Sequence, residues 1–291
     1  HWRAATVLMH RGFAPGGVLE DIERHGVTCM HMAPTLLHDC FEHPDIDTRD
    51  LSSLRTVYYA AAPMPLALLR RGLAKLGNVF VNGYGSTEIS GLCLHKVDHV
   101  LDGPAELVQR LKSVGQPQVN CDVRIIDEHW NALPPGEIGE IALAGAPMMD
   151  GYWNNHAATA AVLRDGWYRT GDMGYADARN FVYLVDRKKD MIISGGENIY
   201  SREVEDAIGA HDAVSEVAVI GFPDARWGES VRALVVLRAG RSASEAEIIE
   251  HTRALIARYK APRSVVFVDA LARLPSGKIN KVALRALHGA A

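Results

Sequence analysis

The spacing of apolar positions changes twice along this chain. Up to about residue 112, short apolar runs alternate with stretches of helical period, the order expected of a parallel sheet with crossover helices. One helix is marked by Pro65 at its start, Leu66, Leu69, Leu73 and Leu76 on one side, and Gly77 just past its end. Val79, Phe80 and Val81 then predict a short buried strand. From residue 114 to 185 the helical period gives way to strand-like runs at 119–126, 140–143 and 181–185. Pro134-Pro135-Gly136 and Asp165-Gly166 separate them, a texture that predicts a small β-barrel or folded sheet. After Asp186 come a charged stretch, a glycine pair and an α+β run. It predicts a helix near 202–208, strands near 217–221 and 231–237, a second helix from Ser244 and a last strand at 265–268. Ser244 and Glu247 have the spacing of a reciprocal helix cap.

The expected fold is therefore α/β in two parts. Residues 1–186 form the first, with sheet and helices over 1–113 and a β-rich subdomain over 114–186; residues 187–291 form a small α+β domain. The length of 291 residues and 48% hydrophobic content suit two domains with real cores.

Charge sharpens this division. Residues 1–186 carry 15 Lys/Arg against 22 Asp/Glu, and residues 187–291 carry 16 against 13. The mildly basic tail lacks the clustered stripe of a nucleic-acid binder, so no nucleic-acid partner is expected. Cys29, Cys40, Cys93 and Cys121 lie far apart without a CxxC pair, which fits a reducing, cytoplasmic setting better than a disulfide framework. The longest apolar stretch, 57–69, is short and broken by Pro63 and Pro65, so no transmembrane segment is expected. The chain opens at His1, without a signal peptide's order of residues, and more sequence is expected upstream.

Four short segments carry candidate chemistry. Gly83-Tyr84-Gly85-Ser86-Thr87-Glu88 follows the 79–81 strand, where a glycine turn brings N–H groups and hydroxyls to a phosphate and an acid can hold Mg²⁺. Tyr168-Arg169-Thr170-Gly171-Asp172 places a carboxylate where it could accept both hydroxyls of a ribose. The segment from Asp186 to Asn198, with its charges and the Gly195-Gly196 pair, reads as a hinge bearing a ligand-contacting loop. Pro275-Ser276-Gly277-Lys278 offers a tight turn presenting one lysine. Taken singly, each has an ordinary explanation as a turn, a linker or a surface lysine. His95 and His99 share helical spacing but lack a third metal ligand, and a solvent-facing pair is expected.

In this order the segments resemble the adenylate-forming superfamily of acyl-CoA synthetases, aryl-CoA ligases, luciferases and peptide-synthetase adenylation domains, over essentially the whole chain. Residues 60–65 resemble the family's adenine-side loop, 84–88 its nucleotide signature, 168–172 its ribose signature, 186–200 its interdomain hinge and 274–281 its lysine loop. The resemblance implies an ATP or AMP site formed by Ala61, Ala62, Pro63, Gly83, Tyr84, Gly85, Ser86, Thr87, Asp172, Arg187 and Lys278. Within it Tyr84 stacks on adenine, Thr87 meets the α-phosphate, Glu88 binds Mg²⁺, and Asp172 with Arg187 holds the ribose. Ala61, Ala62 and Gly85 would also lie near the carboxylate substrate. Thr87, Glu88 and Lys278 are the implied catalytic residues, Lys189 the pivot, and Gly195, Gly196 and Trp227 the implied contacts for coenzyme A.

Three departures stand out. The family's phosphate loop ending in Pro-Lys-Gly does not occur in the chain, Asp186 replaces a usual glycine, and Ser201 replaces a usual proline, where serine is expected to serve as a helix N-cap. The implied activity is ATP-dependent conversion of a carboxylic acid, fatty or aryl, to an acyl-adenylate and then to a coenzyme A thioester, as part of a longer enzyme. The alternatives are an adenylation domain serving a carrier protein and a catalytically inactive binding module.

Overall fold

The computed structural model describes residues 5–62, 64–274 and 278–289. Its chain divides into two compact units: residues 1–123, 144–159 and 179–182 form one, and 124–143, 160–178 and 183–291 the other.

In the first unit, helix α1 (Pro15–His25), strand β1 (Cys29–Met32), α2 (Pro34–Glu42), β2 (Thr56–Ala60), α3 (Leu66–Leu76) and β3 (Phe80–Gly85) follow in order. Strands β1, β2 and β3 are parallel neighbours, so the alternation of strand and helix does produce a parallel core. Strands β4 (Ser90–Leu94) and β5 (Gln116–Pro117), which the apolar pattern did not separate, extend the sheet antiparallel, in the order β1-β2-β3-β4-β5. Val57 and Tyr59 face a core shared with Leu37, Leu69 and Phe80, all at most 1% exposed. Helix α3 starts after Pro65 and stops at Gly77, whose φ of 73° suits glycine.

His99 is buried, contrary to the expected solvent-facing pair, and a 3-10 turn at Lys96–Asp98 replaces the helix. Its Nδ1 donates to the His95 carbonyl at 2.9 Å, leaving Nε2 to accept from the Tyr59 hydroxyl at 3.0 Å. Among the described residues no group of three or more potential metal ligands occurs, and no helix is long and apolar enough to cross a membrane.

A second sheet runs β10-β9-β7-β6, with β8 paired to β9. Its strands are β6 (Cys121–Ile126), β7 (Gly139–Gly145), β8 (Leu163–Arg164), β9 (Trp167–Ala176) and β10 (Val182–Arg187). Among the described residues it is an open sheet, which decides between the barrel and the folded sheet.

Within the second unit a third sheet has the order β12-β11-β14-β13, with β15 parallel to β14. These strands are β11 (Ile192–Ser194), β12 (Glu197–Ile199), β13 (Val214–Asp224), β14 (Gly228–Leu237) and β15 (Ser264–Phe267). Both faces are covered, which explains why β13 and β14 read as continuous apolar runs. Val219, Val231, Ala233 and Val235 share a core with Val204, Ile208 and Ile248, from helices at Ser201–Gly209 and Glu245–Leu255. Ala218, Ile220 and Leu234 pack with Leu284 of the last helix, Lys281–His288. The reciprocal cap forms as expected: the Glu247 N–H donates to Ser244 Oγ at 3.3 Å, and the Ser244 N–H to Glu247 Oε2 at 2.7 Å. Ser201 is not a cap, however. Tyr200 holds that position, and Ser201 is the first helical residue.

Burial holds the His99 imidazole below its ordinary pKa, against the opposing pull of the His95 carbonyl and Asp98. The folded state therefore favours neutral His99, and its contribution to stability is present above about pH 6.5 and lost as pH falls below it. Denaturant midpoints at pH 7.5 and 5.5 should fall further for the wild type than for His99→Gln; equal losses would remove His99 as the source.

Candidate functional site

Two groups of site residues lie in separate units. In the first, the register pairs Ala60 of β2 with Gly83 of β3, so Ala61 and Tyr84 continue side by side toward the carboxyl ends of parallel strands. Ligand loops favour that edge of an α/β sheet. Ala61 has a φ of 75°, a conformation that costs a non-glycine residue about 1 kcal/mol or more. Pro63 lies outside the described residues.

The glycine signature is more extended than expected. Gly83, Tyr84 and Gly85 belong to β3, and the turn itself is confined to Ser86 and the residues up to Ile89, closed by the Ser86 N–H on the Ile89 carbonyl at 2.8 Å. Glycine is needed at 83 for space: a Cβ there would lie 1.5 Å from the Tyr58 hydroxyl oxygen. Thr87 is exposed and Glu88 half-buried. Glu88 is gripped at both ends, its carbonyl accepting the Met149 N–H at 2.7 Å and its Oε1 accepting the Tyr152 hydroxyl at 2.9 Å. Bonds from Ser86, its own backbone and Tyr152 hold the Glu88 carboxyl below the ordinary range, outweighing burial, with the Ser86 hydroxyl the largest cause. The result is an ionised, hard oxygen donor suited to a divalent cation. Tyr152 was not singled out from the sequence. It lies far from Glu88 along the chain, and no short motif joins them.

In the second unit, Tyr168 to Asp172 lie inside β9. Glu140 pairs with Met173 and Ala142 with Arg169, so two extra residues of β9 are accommodated between these pairings. Thr170, Gly171 and Asp172 thus form a bulge, with Gly171 at φ 75°. Within the bulge the Asp172 N–H donates to Thr170 Oγ1 at 3.1 Å, and Arg187 Nε stands 3.1 Å from Asp172 Oδ1. These two predicted ribose residues are brought together.

Beneath the bulge sits Glu140, 5% exposed. Its Oε1 accepts the Gly171 N–H at 3.2 Å and its Oε2 accepts Lys188 Nζ at 2.9 Å. Arg169 Nε is also 2.9 Å from Oε2, but its N–H is not aimed there, so that attraction is Coulombic. The Arg169 guanidinium lies 4.7 Å from the Trp130 ring centre, and its Nη2 donates to the Asp127 carbonyl at 3.2 Å. Trp130 adopts φ 71°, held there by Asp127 Oδ1, which accepts the His129 and Asn131 N–H groups at 2.8 Å each. Glu140, Trp130 and Arg169 support the site and were missed as such, because their roles depend on cross-strand register.

Past Lys189, in the 3-10 turn Lys188–Asp190, the presumed loop is the tight hairpin β11–β12. Its Gly195 N–H donates to the Trp227 carbonyl at 2.8 Å, and a Cβ at 195 would lie 2.6 Å from the indole. Gly195 and Trp227 are therefore in contact, with Gly196 beside them at φ 87°. Lys278 is exposed; the Leu274 N–H donates to its carbonyl at 2.8 Å, and Arg273 bridges Ile279. Pro275, Ser276 and Gly277 lie outside the described residues.

Residues 1–153 match the family model described as AMP-binding enzyme, and residues 203–278 match the AMP-binding enzyme C-terminal domain. The chain belongs to the AMP-binding enzymes. This AMP-binding enzyme is 42% identical over 287 residues to a feruloyl-CoA synthase of Amycolatopsis sp, covering 99% of this chain and 57% of that protein. It is 40% identical to a medium/long-chain-fatty-acid–CoA ligase of Mycobacterium tuberculosis, covering 98% of this chain and 50% of the relative. The chain thus spans about half the length of the curated relatives it matches. An amide bond synthetase from Marinactinospora thermotolerans superposes with a TM-score of 0.87 at 36% identity, over 95% of this chain and 56% of that one. The o-succinylbenzoate CoA synthetase of Bacillus subtilis, solved with its acyl-adenylate intermediate, gives 0.84 at 33%, over 95% and 54%.

Ser86→Ala and Tyr152→Phe should each raise the Glu88 pKa toward the ordinary carboxylate value, Ser86→Ala by more. Carboxyl-carbon NMR titration reads this directly, and an unmoved Glu88 in both variants would refute the two-hydroxyl account.

Proposed function

We propose that this chain is part of an acyl-CoA synthetase that converts a fatty or aryl carboxylic acid and ATP to an acyl-adenylate, then transfers the acyl group to coenzyme A. The observation that carries this reading is the β9 bulge at Thr170–Asp172, where Arg187 Nε stands 3.1 Å from the Asp172 carboxylate. Family membership and the coenzyme A ligases among the relatives support it.

A carboxylate is a poor electrophile, and joining it to AMP supplies a good leaving group. Asp172 accepts the ribose hydroxyls, Arg187 orients Asp172, and Tyr84 offers its ring to adenine. Thr87 donates to the α-phosphate, while Lys278 offsets the negative charge that gathers as carboxylate and phosphate meet. The ionised Glu88 suits Mg²⁺, which supplies charge neutralisation on the phosphates when bound. Ala61, Ala62 and Gly85 leave room for the acid. Gly195, Gly196 and Trp227 form the surface that meets coenzyme A after residues beyond Lys189 rotate; residues 187–291 act as the mobile domain in this proposal. A carrier-protein thiol is the competing acceptor, since a fatty acid–[acyl-carrier-protein] ligase of Streptomyces coeruleorubidus is 36% identical over 96% of this chain. Supplying acyl-AMP with either thiol decides between them.

Asp172→Ala should weaken binding of a nonhydrolysable acyl-AMP mimic by about tenfold or more, the loss expected for a hydrogen bond to a charged group. Calorimetry on the folded variant checks it, and unchanged affinity rejects the ribose role.

A complementary test concerns the longer enzyme, assayed in single turnover for each half-reaction. Lys278→Ala should slow adenylation by roughly a hundredfold or more while sparing thioester formation from supplied acyl-AMP. Lys189→Pro should do the reverse, because a fixed φ at the pivot blocks rotation. Equal slowing of both steps in both variants contradicts the alternation.

A further inference from the structure

Asp186 and Ser201, which flank the segment containing Lys189, hold one another. Asp186 Oδ2 accepts the Ser201 backbone N–H, and its Oδ1 accepts the Ser201 hydroxyl at 3.2 Å. Glycine at 186 would have no carboxylate, and proline at 201 no N–H. The contact therefore needs a carboxylate at 186 and an N–H at 201. Ser201 is fully buried and Asp186 is 8% exposed, so the bonds form away from water, where a missing partner is costly. Ser201 Oγ also accepts Lys281 Nζ at 2.6 Å, and that ammonium lies 2.7 Å from Glu205 Oε1.

The position of this contact matters more than its strength. Before Lys189, Arg187 pairs with Asp172 and Lys188 with Glu140. After it, Arg285 pairs with Asp190 at 2.8 Å. Those contacts stay on one side of Lys189, whereas the Asp186–Ser201 contact crosses it. A rotation at Lys189 that carries residue 201 past residue 186 must open the contact.

We propose that Asp186 and Ser201 form a clasp across the pivot, a positioning pair that sets how readily the chain turns at Lys189. Through Lys281, three residues beyond Lys278, the clasp also positions the lysine-bearing segment. The gating role rests on the reading of Lys189 as the pivot; the clasp does not.

The test is a double-mutant cycle on the chain as it stands, with Asp186→Ala, Ser201→Pro and their combination. Native-state trypsin cleavage after residues 187–189 reads local opening, and denaturant unfolding controls for global stability. Each single change should raise the cleavage rate by about tenfold, and the double should exceed neither single by much. Ser201→Thr, which keeps the N–H and hydroxyl, should restore the wild-type rate. Where Ser201→Pro fails to fold, Ser201→Ala takes its place; it keeps the N–H and should give a smaller, still non-additive effect. Independent effects that multiply, or an Asp186→Ala variant cut at the wild-type rate, overturn the clasp. In the longer enzyme, Asp186→Ala should change the ratio of the two half-reaction rates, whereas a merely structural role would lower both alike. Coupling in the cycle with an unchanged ratio overturns gating. Loss of the pivot reading itself would appear separately, as equal slowing of both steps by Lys189→Pro.

Discussion

A buried carboxylate must be neutralised where it stands, and the β9 bulge and the start of the hinge are arranged around that requirement at Glu140. One oxygen accepts the Gly171 amide of the β9 bulge, and the other faces Lys188 and Arg169. Removing such an acid leaves the Gly171 amide and the cations facing it without their carboxylate, a loss larger than the net worth of any one bond. Asp172 is displayed on one side of this anchor, and the hinge begins on the other. The geometry of the proposed ribose site is therefore inherited from strand register, since only the mismatch between β7 and β9 raises the bulge over Glu140.

The same economy of register explains what could be read in the sequence. Helix α3 was legible from Pro65, its leucines and Gly77, because helix ends are fixed by residues within one turn of them. The Ser244 cap was legible for the same reason. The strands at 121–126 and 139–145 were found with edges displaced by one or two residues, since apolar runs do not mark where pairing stops. Other elements escaped, among them a hairpin and a helix after Lys189. The hairpin at 192–199 is rich in polar residues and glycine, so composition suggested a linker, although its pairing is regular. The helix Lys281–His288 is only eight residues long, shorter than the window over which a helical period is read.

Site residues divide along the same line. Asp172 and Arg187, fifteen positions apart, could be paired only through the family resemblance, and the fold brings them within 3.1 Å. Tyr152 carries no local sign of its bond to Glu88, which arises because the loop after β7 returns to the turn after β3. Trp130 was not singled out from the sequence. Its left-handed backbone, about 1 to 3 kcal/mol above relaxed conformations, is tolerated because Asp127 accepts two amides around it and its ring covers Arg169. A sequence shows which groups are present, whereas these roles depend on which groups meet.

Ser201 shows how far local chemistry can mislead when a distant partner is present. Serine before a helix is ordinarily a cap, because its oxygen accepts an orphan amide of the first turn. Here the carboxylate of Asp186, from beyond the hairpin, accepts the Ser201 amide, and a carboxylate at a helix start is favoured further by the helix dipole. With its amide satisfied from outside, Ser201 can enter the helix as its first residue and turn its hydroxyl to Asp186 and Lys281. The capping function has moved from the serine to the aspartate. Two residues that look unrelated in the sequence thus form one contact, made across the segment that contains Lys189.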